Sequence, residues 1–103
     1  MTAPAAPLTT RQAKHLRALA HHLDPLVLVG KEGGSPAITQ AITDALAQHE
    51  LLKVRLPQVE KAERRELARA LEVSCECHLV GEIGRVAIFY KRHPEKPRIT
   101  LPG

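Results

Sequence analysis

The amino-acid sequence predicts a single compact α/β domain in which a mixed four-stranded sheet packs with helices. Three segments repeat apolar residues at helical spacing, and each is followed by a short apolar or alternating run typical of a strand. Two such runs adjoin near the C-terminus, so the expected order of elements is α-β-α-β-α-β-β. A chain of 103 residues, 44% of them hydrophobic, is long enough to bury one modest core.

A proline separates the first helix from the first strand. Thr9 or Thr10 is a suitable N-cap for a helix that runs to about Leu23. Pro25 ends this helix, because a proline disfavours helical geometry in the residue before it. The run LVLV that follows is apolar at every position, which predicts a strand buried on both faces.

The second helix, the second strand and the third helix follow in order. Ser35 and Pro36 form a favourable N-cap and first residue for the second helix. In the segment LLKVRLP, apolar residues alternate with Lys53 and Arg55, which is the period of a half-buried strand. The third helix is expected over residues 60–72.

Two strand-like runs, CECHLV and RVAIFYK, end the predicted sheet, and a hairpin through residues 81–84 is expected to join them. From about residue 93 the chain is rich in proline and basic residues, which predicts an extended basic tail. Residues 1–7 are expected to form a flexible N-terminal arm. Residues 8–103 then make up the domain.

The charge balance favours a polyanionic partner, although the signal is weak by itself. Fifteen Lys and Arg residues against eleven Asp and Glu residues give a net charge of +4. The whole excess lies in residues 51–103, with eleven basic and seven acidic side chains. The first residues lack the features of a signal peptide, and no run approaches the roughly 20 apolar residues of a membrane helix. We therefore expect a cytoplasmic protein without a membrane partner.

The most distinctive local feature is the segment GKEGGS between the first strand and the second helix. Its glycines lack the spacing of the dinucleotide fingerprint, G-x-G-x-x-G, and of the P-loop, G-x-x-x-x-G-K-[ST]. They do match G-x-x-G over residues 30–33, a loop in which backbone can approach a sugar-phosphate strand without an intervening Cβ. From the residues alone, two interpretations stay open: a backbone grip on nucleic acid, or a purely structural turn.

Candidate contacts to nucleic acid gather around this loop. The predicted set consists of Gly30, Lys31, Gly33 and Gly34 in the loop, Arg11, Lys14 and Arg17 on the first helix, and Lys53 and Arg55 on the second strand. A solvated helix face and ordinary strand alternation are the alternative explanations for the two cationic groups. On the third helix, basic residues are interleaved with glutamates at pairing distances, which favours a solvated surface. For the basic tail, RNA contact and a merely solvated end both stay open.

No residue pattern indicates catalysis or a metal site. Cys75 and Cys77 share one face of their expected strand and His78 lies on the other, so one ion cannot easily collect all three. A structural zinc would need four ligands. The histidines are scattered, and no nucleophile lies at a recognisable spacing from a base. We expect a binding protein rather than an enzyme, with no metal, no cofactor and no small-molecule substrate.

Three stretches carry a resemblance to a known family: LTTRQAKHLRALAHHLDPLVLVGKEG, ALAQHELLKVRL and GRVAIFYKRHPEKPRITLP. In this order they resemble the CRM domain family (chloroplast RNA splicing and ribosome maturation), in particular its stand-alone bacterial YhbY-like members. The resemblance implies a fold similar to the C-terminal domain of bacterial translation initiation factor three. It also implies RNA binding through the G-x-x-G loop, where Gly30 and Gly33 occupy the motif positions and Lys31 the variable interior.

The family resemblance further implies association with precursors of the large ribosomal subunit. The sequence therefore predicts a monomeric RNA-binding protein that contacts pre-rRNA or a precursor particle during ribosome assembly. A protein–protein adaptor on the ribosome or translation machinery, with a purely structural glycine loop, is the alternative.

Overall fold

The computed structural model of the chain describes residues 7–103 and contains three helices and four strands. In chain order they are α1 (Thr10–Ala20), β1 (Pro25–Leu28), α2 (Pro36–His49), β2 (Leu51–Arg55), α3 (Lys61–Ser74), β3 (His78–Ile83) and β4 (Val86–Tyr90). The expected α/β domain and its element order are confirmed. The N-terminal arm expected over residues 1–7 lies, apart from Pro7, outside the described residues. No helix within residues 7–103 combines the length and the apolarity that crossing a bilayer requires.

The four strands form one mixed sheet in the order β1-β2-β4-β3. β1 and β2 run parallel and are linked by α2, whereas β4 runs antiparallel to both of its neighbours, β2 and β3. One strand–helix–strand unit and one hairpin therefore build the sheet. β1 and β3 are its two edges.

Helices cover both faces of the sheet, and each face has its own core. On one face, Ile42 of α2 and Leu71 of α3 belong to the same buried cluster as Phe89. On the other face, Leu16 of α1 packs in a second cluster that includes Tyr90. Phe89 and Tyr90 are the only Phe and Tyr of a chain without Trp, and both are buried. The protein surface therefore carries no Phe, Tyr or Trp platform.

α1 begins with a capping box. The Thr9 hydroxyl accepts a hydrogen bond from the Gln12 backbone N–H, and the Gln12 side chain accepts one from the Thr9 N–H, both at 3.1 Å. The helix ends at Ala20, earlier than the expected Leu23. The reason is a turn in which the Leu23 N–H donates to the Ala20 carbonyl, which lets β1 begin at Pro25.

The expectation that the LVLV run is buried on both faces is wrong. β1 is an edge strand with alternating exposure: Val27 packs against the core under α2, whereas Leu26 and Leu28 are 56% and 67% exposed. α1 packs mainly on β2, β3 and β4, so it leaves this face of β1 open. An unbroken apolar run indicates a strand but not the position of that strand in a sheet.

The segment before His78 is also not the expected strand. α3 continues to Ser74, and Glu76 adopts a φ of 52° that redirects the chain before β3 starts. Cys75 and Cys77 flank this turn and are buried in the core under α2 and α3. They therefore do not share a strand face.

The hairpin between β3 and β4 is tighter than expected. Residues 81–83 belong to β3, so the turn consists of Gly84 and Arg85 alone. Gly84 has a φ of 59°, the left-handed conformation that such two-residue hairpin turns require.

The C-terminal segment has no helix or strand, and it lies against the domain. Ile99 and Leu101 pack against the cluster under α1, and the Gln12 side chain donates to the Pro102 carbonyl at 3.1 Å. The Arg98 guanidinium donates to the Gln48 carbonyl at 2.8 Å. Apolar and polar contacts thus attach this basic segment to α1 and to the end of α2.

The buried Glu50 carboxylate is hydrogen-bonded to the same C-terminal segment. Glu50 is 1% exposed and accepts three backbone hydrogen bonds, from His93 at 2.8 Å, Arg98 at 2.7 Å and Ile99 at 2.9 Å. Burial by itself raises the pKa of Glu50, but these donors outweigh it and hold the pKa below its ordinary value of 4.5. The ionised side chain is therefore the form that the fold stabilises.

Replacing this carboxylate tests its structural role. Glu50→Gln should lower the free energy of unfolding at neutral pH by about 2 kcal/mol, because the amide NH₂ cannot accept and leaves a buried N–H unpaired. Glu95→Gln, on an exposed residue of the same segment, should change it by less than about 0.5 kcal/mol. Chemical denaturation of both variants measures the difference, and equal effects would contradict the assigned role.

The stability difference should also depend on pH. Since the folded pKa of Glu50 lies below 4.5, its contribution is complete above about pH 4.5 and is lost as pH falls through the folded pKa. The difference in the free energy of unfolding between wild type and Glu50→Gln should therefore decrease on acidification. A gap of constant size would mean that the Glu50 charge does not stabilise the fold.

Candidate nucleic-acid interface

The connection between β1 and α2 is a loop over residues 29–35, buried at Val29 and largely exposed from Gly30 onward. The Gly33 N–H donates to the Gly30 carbonyl at 3.0 Å and closes a tight turn, with Lys31 and Glu32 at its exposed tip. Within the described part of the chain, the N–H groups of Lys31, Glu32 and Gly34 have no hydrogen-bond acceptor. These amides are donors that a ligand can use.

The glycines of the loop have different structural roles. Gly33 has a φ of 76°, a conformation that a residue with a Cβ adopts only at a cost of about 1 kcal/mol or more. A Cβ on Gly34 would lie 3.3 Å from the Leu71 side chain, so Gly34 allows the loop to pack on α3. Gly30 does not have a positive φ, and a Cβ there would not meet any core residue. Its lack of a Cβ leaves the backbone open on the solvent side.

The Glu32 side chain folds back over Gly30. Its carboxylate oxygens lie 2.6 and 2.7 Å from the position that a Cβ on Gly30 would take. An anionic group can therefore come close to the main chain at Gly30. In this structure that group is the Glu32 carboxylate. Glu32 is exposed, so its carboxylate can rotate into solvent.

The N-terminus of α2 offers fewer donors than its position suggests. Pro36 has no N–H, and the Ile38 N–H donates to the Ser35 hydroxyl at 3.2 Å. Of the first three helical residues, Ala37 alone keeps an N–H without an acceptor in the described residues. Most free donors therefore belong to the loop and not to the helix.

The predicted cations of α1 have different surroundings. Arg11 and Lys14 are exposed. The Arg17 guanidinium donates to the Val80 carbonyl at 3.1 Å, and its aliphatic part lies on Gly81. Arg17 thus helps to hold α1 on β3. It is still exposed, but part of its hydrogen-bonding capacity is used within the domain.

Lys53 and Arg55 lie on the side of the sheet that carries α1. They alternate along β2 with Leu52 and Val54, which belong to the core on the opposite face. Arg55 is next to the loop, since its carbonyl accepts the Val29 N–H at 2.9 Å. The main chain of Arg55 therefore borders the start of the loop, while its side chain points to the α1 side of the sheet.

The predicted binding residues form an extended track and not a compact site. The N-terminal half of α1, with Arg11 and Lys14, lies beside the C-terminal segment near the start of β2. The loop follows the carboxyl end of β1, where the parallel β2 also ends. A single small anion cannot contact both ends, whereas a chain of phosphates can.

The side chains outside this track make other contacts. On α3, Arg65 lies 4.0 Å from Glu82, and Arg64 donates to the Val59 carbonyl at 2.6 Å.

In residues 7–103, no group of three His, Cys, Asp or Glu side chains is placed to hold a metal ion. Burial raises the pKa of Cys75, and burial with the nearby Cys75 and Glu72 raises the pKa of Cys77 to about 12. Both thiols therefore stay protonated at neutral pH.

Comparisons with known proteins agree on one family. A model of the CRS1 / YhbY (CRM) domain matches residues 8–91. A probable RNA-binding protein of Bacillus subtilis is 37% identical over 95 residues, which cover 92% of this chain and 99% of that protein. A probable RNA-binding protein of Pseudomonas aeruginosa is 35% identical over 94 residues, covering 91% and 89%.

A solved structure agrees as well. The solution structure of a Staphylococcus aureus protein, described as a candidate RNA binder, matches with a TM-score of 0.83 and 36% identity. The match covers 92% of this chain and 99% of that one. The residues matched by the family model include every helix and strand described above and the whole glycine loop.

Proposed function

Because the chain belongs to the CRS1 / YhbY (CRM) domain family, we propose that it is an RNA-binding protein whose ligand is the rRNA of large-subunit precursors. It acts as a monomeric, cytoplasmic ribosome assembly factor, through non-covalent contacts and without catalysis. Relatives in two bacteria carry names that describe them as probable RNA-binding proteins, which supports the ligand class. The large-subunit destination rests on the sequence resemblance.

The observation that carries this proposal is the exposed turn over Gly30–Gly33. Its free N–H groups and its access for an anion at Gly30 suit a sugar-phosphate backbone. Lys31 adds a positive charge at the tip, and Arg55 adds another at the base.

RNA contacts then continue from the loop along the side of the sheet that carries α1, toward Lys14 and Arg11. Arg17 contributes mainly by holding α1 in place, and Gly34 by packing the loop on α3. Since Phe89 and Tyr90 are buried and the chain has no Trp, stacking of bases on Phe, Tyr or Trp rings is not available. Recognition therefore relies on backbone shape and phosphate charge more than on base sequence.

Reversing two cations of α1 tests the track. Arg11→Glu with Lys14→Glu should weaken binding to a structured rRNA fragment by about tenfold or more, because two phosphate contacts are lost. The slope of log affinity against log salt should become shallower by about 1.4, at about 0.7 per contact. Filter binding over a series of salt concentrations measures both quantities.

The matched control is Lys61→Glu with Arg69→Glu, the same charge change on exposed residues of α3, behind the sheet. It should keep most of the affinity. Equal losses in both variants would indicate non-specific attraction. If RNA affinity is unchanged in the α1 variant while co-sedimentation with large-subunit precursors is lost, a protein adaptor replaces the RNA-binding proposal.

Removing the loop carboxylate should have the opposite effect. Glu32→Gln should tighten RNA binding by about threefold at low salt, because the carboxylate over Gly30 repels a phosphate there, and the gain should fade as salt screens it. Glu66→Gln, on the exposed surface of α3, is the control for net charge. The same gain in both variants, or no gain in either, would rule out a local role for Glu32.

A further inference from the structure

Part of the sheet on the α1 side is not covered by any described element. Leu28 at the end of β1 is 67% exposed and Ile83 at the end of β3 is 60% exposed. Leu26, on the same side of β1, is 56% exposed. Large apolar side chains grouped in this way on a surface commonly mark a binding site.

Strand register places these residues in one line. Leu28 pairs with Arg55, Arg55 with Val86, and Val86 with Ile83, so one residue from each strand forms a row across the sheet. Paired residues point to the same face of a sheet. Leu16 and Ala20 of α1 pack with Leu51, Ile88 and Tyr90, further from the loop along β2 and β4. We call this row, together with Leu26 and Lys53 beside it, the open sheet face.

The charges of the open sheet face are all positive. Lys53 and Arg55 are the charged strand residues on this side, and Arg17 of α1 lies beside Gly81 at its margin. Glu82 of β3 lies on the opposite side, where it faces Arg65 of α3. A surface that combines aliphatic side chains with cations complements a ligand that combines flat apolar groups with anions.

The open sheet face borders the glycine loop along the main chain of β1 and β2. Leu28 is two residues before Gly30, and Arg55 is hydrogen-bonded to Val29 between them. A ribonucleotide strand whose phosphates lie on the loop amides therefore has its neighbouring bases beside the row.

Resting on the RNA-binding function proposed above, we infer that the open sheet face holds unpaired bases of the bound RNA. The preferred ligand of this surface is a single-stranded or looped segment, since bases paired inside a duplex cannot lie flat on Leu28 and Ile83. The aliphatic part of the contact, from Leu28, Val86 and Ile83, makes no base-specific hydrogen bonds. It therefore selects unpaired nucleotides while tolerating any base sequence.

Two substitutions separate this contact from phosphate binding. Leu28→Thr with Ile83→Thr places β-branched, strand-compatible residues at both exposed positions and removes most of the apolar surface. Affinity for a short oligouridine should fall by roughly tenfold, while affinity for a short perfectly paired RNA duplex should not change. Fluorescence anisotropy with both RNAs, after a thermal melt to confirm folding, measures this difference.

A variant that should bind more tightly tests the same surface without relying on a loss of binding, which a folding defect could also cause. Ile83→Tyr should tighten oligouridine binding by roughly tenfold, because it supplies the aromatic platform that the surface lacks. Val73→Thr is the control, because it also introduces threonine at an exposed apolar position, a 65% exposed residue of α3 on the other side of the domain. It should leave both affinities unchanged.

The outcomes distinguish this inference from the proposed function. If wild type binds both RNAs but the Leu28/Ile83 variant loses neither affinity, or loses both equally, the base platform is wrong and the RNA-binding function stands. If the variant keeps its RNA affinities but no longer co-sediments with large-subunit precursors, a protein occupies the face and the inference is overturned. If wild type binds neither RNA, the proposed function fails and this inference fails with it.

Discussion

The candidate interface depends on how the chain leaves β1 at the edge of the sheet and enters α2. The turn requires a left-handed backbone at Gly33 and either no Cβ at Gly34 or a small shift of the Leu71 side chain that the loop meets there. These two requirements fix the loop against α3 and leave the amides of Lys31 and Glu32 in solvent. Unpaired backbone donors beside cations are a surface that an anionic polymer can satisfy.

An open loop contributes little to stability, so the rest of the fold must hold it in place. Two buried clusters, one on each face of the sheet, supply the apolar burial. The Glu50 carboxylate then attaches the C-terminal segment by accepting three main-chain N–H groups. Because that segment lies under the start of α1, Glu50 also helps to position the helix that carries Arg11 and Lys14. The track is thus supported by groups that are not part of it.

The sequence determined the helices well because their signals are local: the cap at Thr9, the Ser35-Pro36 start, and apolar spacing along each segment. Sheet order is not local, so the LVLV run could not show that β1 is an edge strand with Leu26 and Leu28 exposed. The sequence also did not show which residues far along the chain a side chain contacts. Arg17 looked like a free cation, yet Val80 accepts its hydrogen bond.

Contact between the loop amides and RNA can be measured by NMR, from the amide chemical shifts during titration with an rRNA fragment. We expect the backbone resonances of Lys31, Glu32 and Gly34 to shift first and furthest, with smaller shifts at Lys14 and Arg55. Resonances on the outer surface of α3 should stay in place. Shifts confined to α3, or unchanged resonances of the loop amides, would mean that the loop does not bind RNA.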